Sequence, residues 1–182
     1  TELVAKITGG TPLFMVSLLD DLAERGMLAE RDGRWHLTVS IDEVQAHRPA
    51  SVKQLIDIQL DRLTVAEQRA LEAASIVGTE FSTHLVAAAL ELPVEQIDDL
   101  CDALARRSLF LRPEPDARYG LTHALVQEVC LERSSPARRQ RWHRLVAEAL
   151  ERDPRAGELP HLLAKHLEAA GDPARAIPAY LK

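Results

Sequence analysis

Two short stretches carry residues whose types and spacing suit nucleotide chemistry. The first is Gly9-Gly10-Thr11-Pro12-Leu13-Phe14. Glycines ahead of a helix cradle phosphates when Gly-Lys-Ser/Thr follows, because a lysine must reach the outer phosphates. The four lysines of this chain are Lys6, Lys53, Lys165 and Lys182, and none follows a glycine. The stretch is therefore not a phosphate loop. Thr11 as a cap and Pro12 at the first helical position start a helix there instead. The second stretch is Thr122-His123, with Thr122 expected to cap a helix. Free N–H groups and the helix dipole favour an anion at such a terminus, and a histidine adds a hydrogen bond to a phosphate. On local sequence alone, a histidine that only caps or packs the helix is the favoured alternative.

Other candidate clusters are weaker. "MVSLLDDL" imitates a strand ending in metal-binding acids, but its apolar residues continue at helical spacing past Asp20 and Asp21. Arg138, Arg139, Arg141 and Arg144 surround Trp142 and offer a phosphate or RNA surface. A solvated helix face with Trp142 buried is preferred, since Glu148, Glu151 and Asp153 follow closely. His161 and His166 are five apart and do not share a helical face. No metal site and no catalytic set is recognisable, and paired acids such as Asp98-Asp99 read as surface.

The elements that must position these residues are mainly helical. Of 182 residues, 46% are apolar and only 4% aromatic, with Leu and Ala at helical spacing. The net charge of −6 gives no general argument for nucleic acid or an anionic membrane. No apolar run approaches a membrane span and no signal peptide opens the chain, so a cytoplasmic location is expected. Cys101 and Cys130 read as buried thiols, not as a disulfide.

Phe14, Leu18, Leu19 and Leu22 predict a helix after Pro12. Met27 to Leu37 predicts a hairpin turning at Asp32-Gly33, with Trp35 and Leu37 on one face. Ser51 with Gln54, and Thr64 with Glu67, are capping-box patterns. The second opens a helix that Gly78 ends. Ser82 or Thr83 opens a short helix. Pro93 opens another, with Val94, Ile97, Leu100, Cys101 and Leu104 inward. "SLFLRPEPDARYGL" predicts two short strands around a Pro-rich turn. A helix after Thr122 buries Leu125, Val126, Val129 and Cys130. Further helices start at Pro136 and near Glu158. A Gly-Asp-Pro turn and a last helix then complete a tetratricopeptide-like pair.

The fold expected is mainly α: a winged-helix domain with a small β-wing, between a helical segment and the start of a helical repeat. The expected domains are 1–48 (lid segment with hairpin), 49–134 (winged helix) and 135–182 (start of a tetratricopeptide-like array). The helix at Pro93 would be the DNA-reading one. It carries Glu95, Asp98, Asp99 and Asp102, which phosphate charge would repel.

The order of "GGTPLF", "LLDDLAERGML", "DGRW", "PASVKQLIDIQLDRL", "LEAASIVGTEF", "LTHALVQEV", "RRQRWHRLVAEALE" and "LAKHLEAAGD" resembles the segment after the nucleotide-binding core of signal-transduction ATPases with numerous domains, the STAND class. The resemblance covers essentially the whole chain and implies a fragment of a longer regulator. It implies that Gly10-Thr11-Pro12 matches a Gly-x-Pro motif whose proline lines the adenine end of the nucleotide. It implies that the winged helix packs on an ATPase core, and that His123 contacts the β-phosphate of ADP. The acid usual after that histidine is Ala124 here. ATP or ADP with Mg would bind the intact protein, not the fragment. The fragment would not be an enzyme, since the Walker A and B motifs are absent. Expected partners are the upstream core, downstream repeats and a protein or small-molecule inducer. The alternatives are a DNA-binding winged-helix transcription factor and a protein-interaction scaffold.

Overall fold

A computed structural model of the chain describes residues 12–31, 34–40, 43, 52–107, 110–153 and 160–181. The chain divides into two compact units, Thr1–Arg62 and Leu63–Lys182. It is mainly helical, with small antiparallel sheets of two and three strands. This is the mainly α architecture with a small β-wing expected from the sequence.

In the first unit, α1 (Pro12–Glu24) ends at Gly26, whose φ of 69° is the left-handed conformation that glycine adopts without strain. The Met27 N–H returns to the Leu22 carbonyl and the Gly26 N–H to that of Ala23, which closes the helix end. Strands β1 (Leu28–Arg31) and β2 (Arg34–Leu37) pair antiparallel, Leu28 opposite Leu37. The expected turn at Asp32-Gly33 lies outside the described residues. Helix α2 (Val52–Asp61) adds Leu55 to an apolar cluster with Leu18 and Leu22, against which Met27, Leu28 and Val39 pack. Leu19, expected inside, is 36% exposed. It lies only 100° round the helix from Leu18, beyond the edge of the buried stripe.

The second unit begins with α3 (Val65–Val77), opened by the expected capping box. Glu67 N–H donates to Thr64 Oγ1 at 3.3 Å, and Thr64 N–H to Glu67 Oε2 at 2.9 Å. There follow β3 (Glu80–Ser82), α4 (Thr83–Leu90), α5 (Val94–Arg107), β4 (Leu111–Glu114), β5 (Arg118–Leu121) and α6 (Ala124–Arg133). The sheet order is β3-β5-β4, all antiparallel, with Phe81 opposite Tyr119 and Leu111 opposite Leu121. The expected two-stranded wing thus gains a third strand. Its inward residue, Phe81, is 1% exposed. On α5, Ile97, Cys101 and Leu104 are buried, whereas Val94 in the first turn is exposed.

Helices α7 (Pro136–Arg152), α8 (Pro160–Ala169) and α9 (Pro173–Tyr180) complete this unit. Ala147, Leu167 and Ala176 bring the three together, with Leu163 packed against them. Small residues allow the close approach, as Ala164 and Ala179 are buried too. Among the described residues, no helix is long and apolar enough to cross a membrane.

Candidate functional site

The three residues expected at a nucleotide stand as follows. Gly10 lies outside the described residues. Pro12 is the first residue of α1, and its side chain also lies outside them. His123 belongs to the other compact unit.

His123 follows β5 directly. The helix cap is His123 itself, not Thr122. Its backbone is extended (φ −154°, ψ 144°), and its Nδ1 accepts from the Leu125 N–H at 3.1 Å. A cap must be extended while its side chain reaches the N–H two or three residues on. Thr122 sits one residue too early, and its N–H bonds to the Phe110 carbonyl. The bond also fixes the neutral tautomer. A ring nitrogen that accepts carries no proton, so Nε2 of neutral His123 carries it and donates.

The second polar centre of this unit surrounds Glu72 on α3. This carboxylate is 7% exposed. It accepts from Ser134 Oγ at 3.1 Å and Arg138 Nη1 at 3.2 Å. Arg138 also lies 5.7 Å from the ring centroid of Trp142, which is buried. Arg141 pairs with Glu91. Two of the four clustered arginines therefore serve the fold. In the first unit, Asp21 has the same character. It is 1% exposed and held by Arg25 at 2.8 Å and Arg62 at 2.9 Å. "MVSLLDDL" is indeed helical, and its second acid is a structural anchor.

On α5, Glu95, Asp98, Asp99 and Asp102 are all exposed. Asp102 accepts from the Tyr119 hydroxyl, which ties the wing to the helix. Burial, then that hydrogen bond, raises the Tyr119 pKa. Cys101 is buried beside the same acids. Burial, then Asp98 and Asp102, pushes its pKa up to about 12, so it remains an unreactive thiol. Cys130 is buried as well.

One constellation escaped the sequence reading. His143 on α7 and His166 on α8 meet with Nδ1 atoms 2.9 Å apart. His166 is fully buried. Burial, then Lys165 and Arg139, lowers the His143 pKa to about 4. Burial, then His143 and Lys165, lowers that of His166 to about 3, opposed by the Val77 backbone. The Val77 contact falls short of hydrogen-bond geometry, so His166 Nε2 has no partner. The available signal was position: His166 follows Leu163 by three and precedes Ala170 by four, inside an apolar stripe. His161, five residues earlier and off that face as expected, lies near Tyr180 with ring centroids 6.5 Å apart. Among the described residues, no group of three metal-ligating side chains forms.

The fold and these centres define a helical unit with a three-stranded wing, built around buried carboxylates and histidines. No protein-family model and no curated protein matches the chain.

Proposed function

We propose that the chain is a regulatory segment of a STAND-type ATPase. It would couple the nucleotide state of an ATPase core to helical repeats, in a cytoplasmic signalling or transcriptional regulator. In this reading, residues 1–48 form the lid, residues 49–134 a winged helix packed on the core, and residues 135–182 the first repeat. What supports it is the order of sequence stretches that resembles this class, and the cap at His123 is compatible with it. Nδ1 accepts from Leu125 N–H, which makes Nε2 a donor at a helix N-terminus.

His123 would hold the terminal phosphate of ADP, and Gly10 and Pro12 the base. The bound nucleotide supplies the charge that closes core, segment and winged helix together. ATP exchange would shift the population towards the open form. The chain has no Gly-Lys-Ser/Thr, so hydrolysis belongs to the core, with Mg and the phosphate loop. The exposed acids of α5 support packing against protein over DNA reading.

The test is ADP dissociation from the intact ATPase. A hydrogen bond to a charged group contributes about 1.5–3 kcal/mol, so His123→Ala should speed ADP release about ten-fold or more. Basal output without inducer should rise. An unchanged off-rate in a folded variant would make His123 a cap only.

A further inference from the structure

The arginine-rich start of α7 is only half used by the fold. Arg138 and Arg141 have carboxylate partners. Arg139 and Arg144 have none among the described residues. Of these two, Arg144 is exposed, while Arg139 is half-buried.

Arg139 lines an open surface depression of about 530 Å³ together with Pro136, Ala137, Gln140, His143 and Ala169. Gln140 is fixed, since its Nε2 donates to the Ala170 carbonyl at 3.1 Å. The adjoining Gly171 keeps that bond possible, because a Cβ there would lie 2.8 Å from Gln140 Nε2.

His143 brings its ring to the depression with Nδ1 already engaged by His166. The ring nitrogen left for a ligand is Nε2. The Nδ1–Nδ1 contact requires one ring to donate and the other to accept.

The charged groups that act on His143 are Lys165 from α8 and Arg139 from its own helix, both cations. Lys165 is exposed and makes no ion pair among the described residues. Two uncompensated cations repel a metal ion and suit a dianion. A phosphate monoester carries nearly two negative charges at neutral pH and accepts through three oxygens. We infer that the depression between the first turns of α7 and the end of α8 binds the phosphate of a small phosphomonoester, held by Arg139 and His143, with the Lys165 charge close by. This site is separate from His123 and stands independently of the function proposed above.

The test uses the 182-residue chain at pH 7.5 and follows the imidazole nitrogens by NMR. Inorganic phosphate is titrated in one arm and glycerol phosphate in the other. The His143 Nε2 resonance should shift saturably with both. Arg139→Gln should weaken binding about five-fold or more, through loss of a charge-assisted contact, and Lys165→Gln, which removes only a nearby charge, should weaken it less. Arg144→Gln lies off the depression and should stay within about two-fold, because a remote exposed charge is screened. No saturable shift overturns the site. Equal weakening by Arg144→Gln overturns it too, since that reports diffuse charge. Binding of inorganic phosphate but not of glycerol phosphate overturns the monoester assignment.

Discussion

Each compact unit contains one tryptophan, and the two residues stand in opposite surroundings. Trp35 on β2 is 60% exposed, while Trp142 on α7 is 6% exposed. The difference follows from how each unit hides its apolar surface. The described part of the first unit closes around Leu18, Leu22 and Leu55, and all four residues of β2 face water. The second unit buries whole helix faces. From Ala70 to Val77 on α3, every residue is buried. A buried carboxylate appears in both, Asp21 in one and Glu72 in the other. Among the described residues, the apolar surface packed behind this shared polar anchor differs between the two units.

The largest test of this contrast is Phe81→Ala. Phe81 is 1% exposed and stacks on Tyr119 with centroids 6.2 Å apart. Its loss should destabilise the second unit by about 3–5 kcal/mol, a transfer cost plus a cavity. Urea unfolding followed by Trp142 emission in a Trp35→Phe background reads this directly. Coincident loss of Trp35 order in the single Phe81→Ala variant would merge the units into one cooperative block and break the comparison.

Acid should act next. Both His143 and His166 have pKa values lowered from 6.5, to about 4 and about 3. The unfolded chain therefore takes up their protons first. The stability they contribute is complete above pH 6.5, and it drains away as pH falls towards the folded values. The slope approaches about 1.4 kcal/mol per pH unit for each histidine. Between pH 6.5 and 5, above the carboxylate range, the Trp142 transition should move to lower urea. His166→Leu should flatten that dependence. An equally steep slope in the variant would remove the histidine pair as its source.

The sequence made part of this contrast readable and hid the rest. The Thr64–Glu67 box was legible because both partners are three residues apart on one turn. The strands around Pro115 were legible because a Pro-rich turn separates two apolar stretches. Strand β3 was not, since Glu80–Ser82 is three residues long with one apolar side chain, too short to show a period of two. The cap at His123 was placed one residue early, because threonine is the stronger local signal and only the Thr122–Phe110 backbone bond rules it out. The His143–His166 pair depends on how two helices separated by a loop meet. No local spacing encodes that.

The smallest expected effect is the sharpest check on the first unit. Trp35 lies opposite Glu30 in the two-stranded ribbon, and Leu37, two residues on, shares its face and is 43% exposed. A side chain with most of its area in water gives back little transfer free energy when it is removed. Trp35→Ser should therefore change the stability of this unit by no more than about 0.5 kcal/mol, as for ordinary surface substitutions. Some loss of strand propensity is included, since serine suits a pleated surface less well than an aromatic. The neighbouring Thr38 closes the ribbon base through its N–H to the Met27 carbonyl at 3.0 Å, and that bond does not involve the indole. Circular dichroism during urea unfolding, with Trp142 as the internal reference for the other unit, measures the change. A loss above about 1 kcal/mol would exceed what an exposed ring contributes. It would mean that Trp35 is covered in solution, and that the difference between the two tryptophans is smaller than their exposures imply.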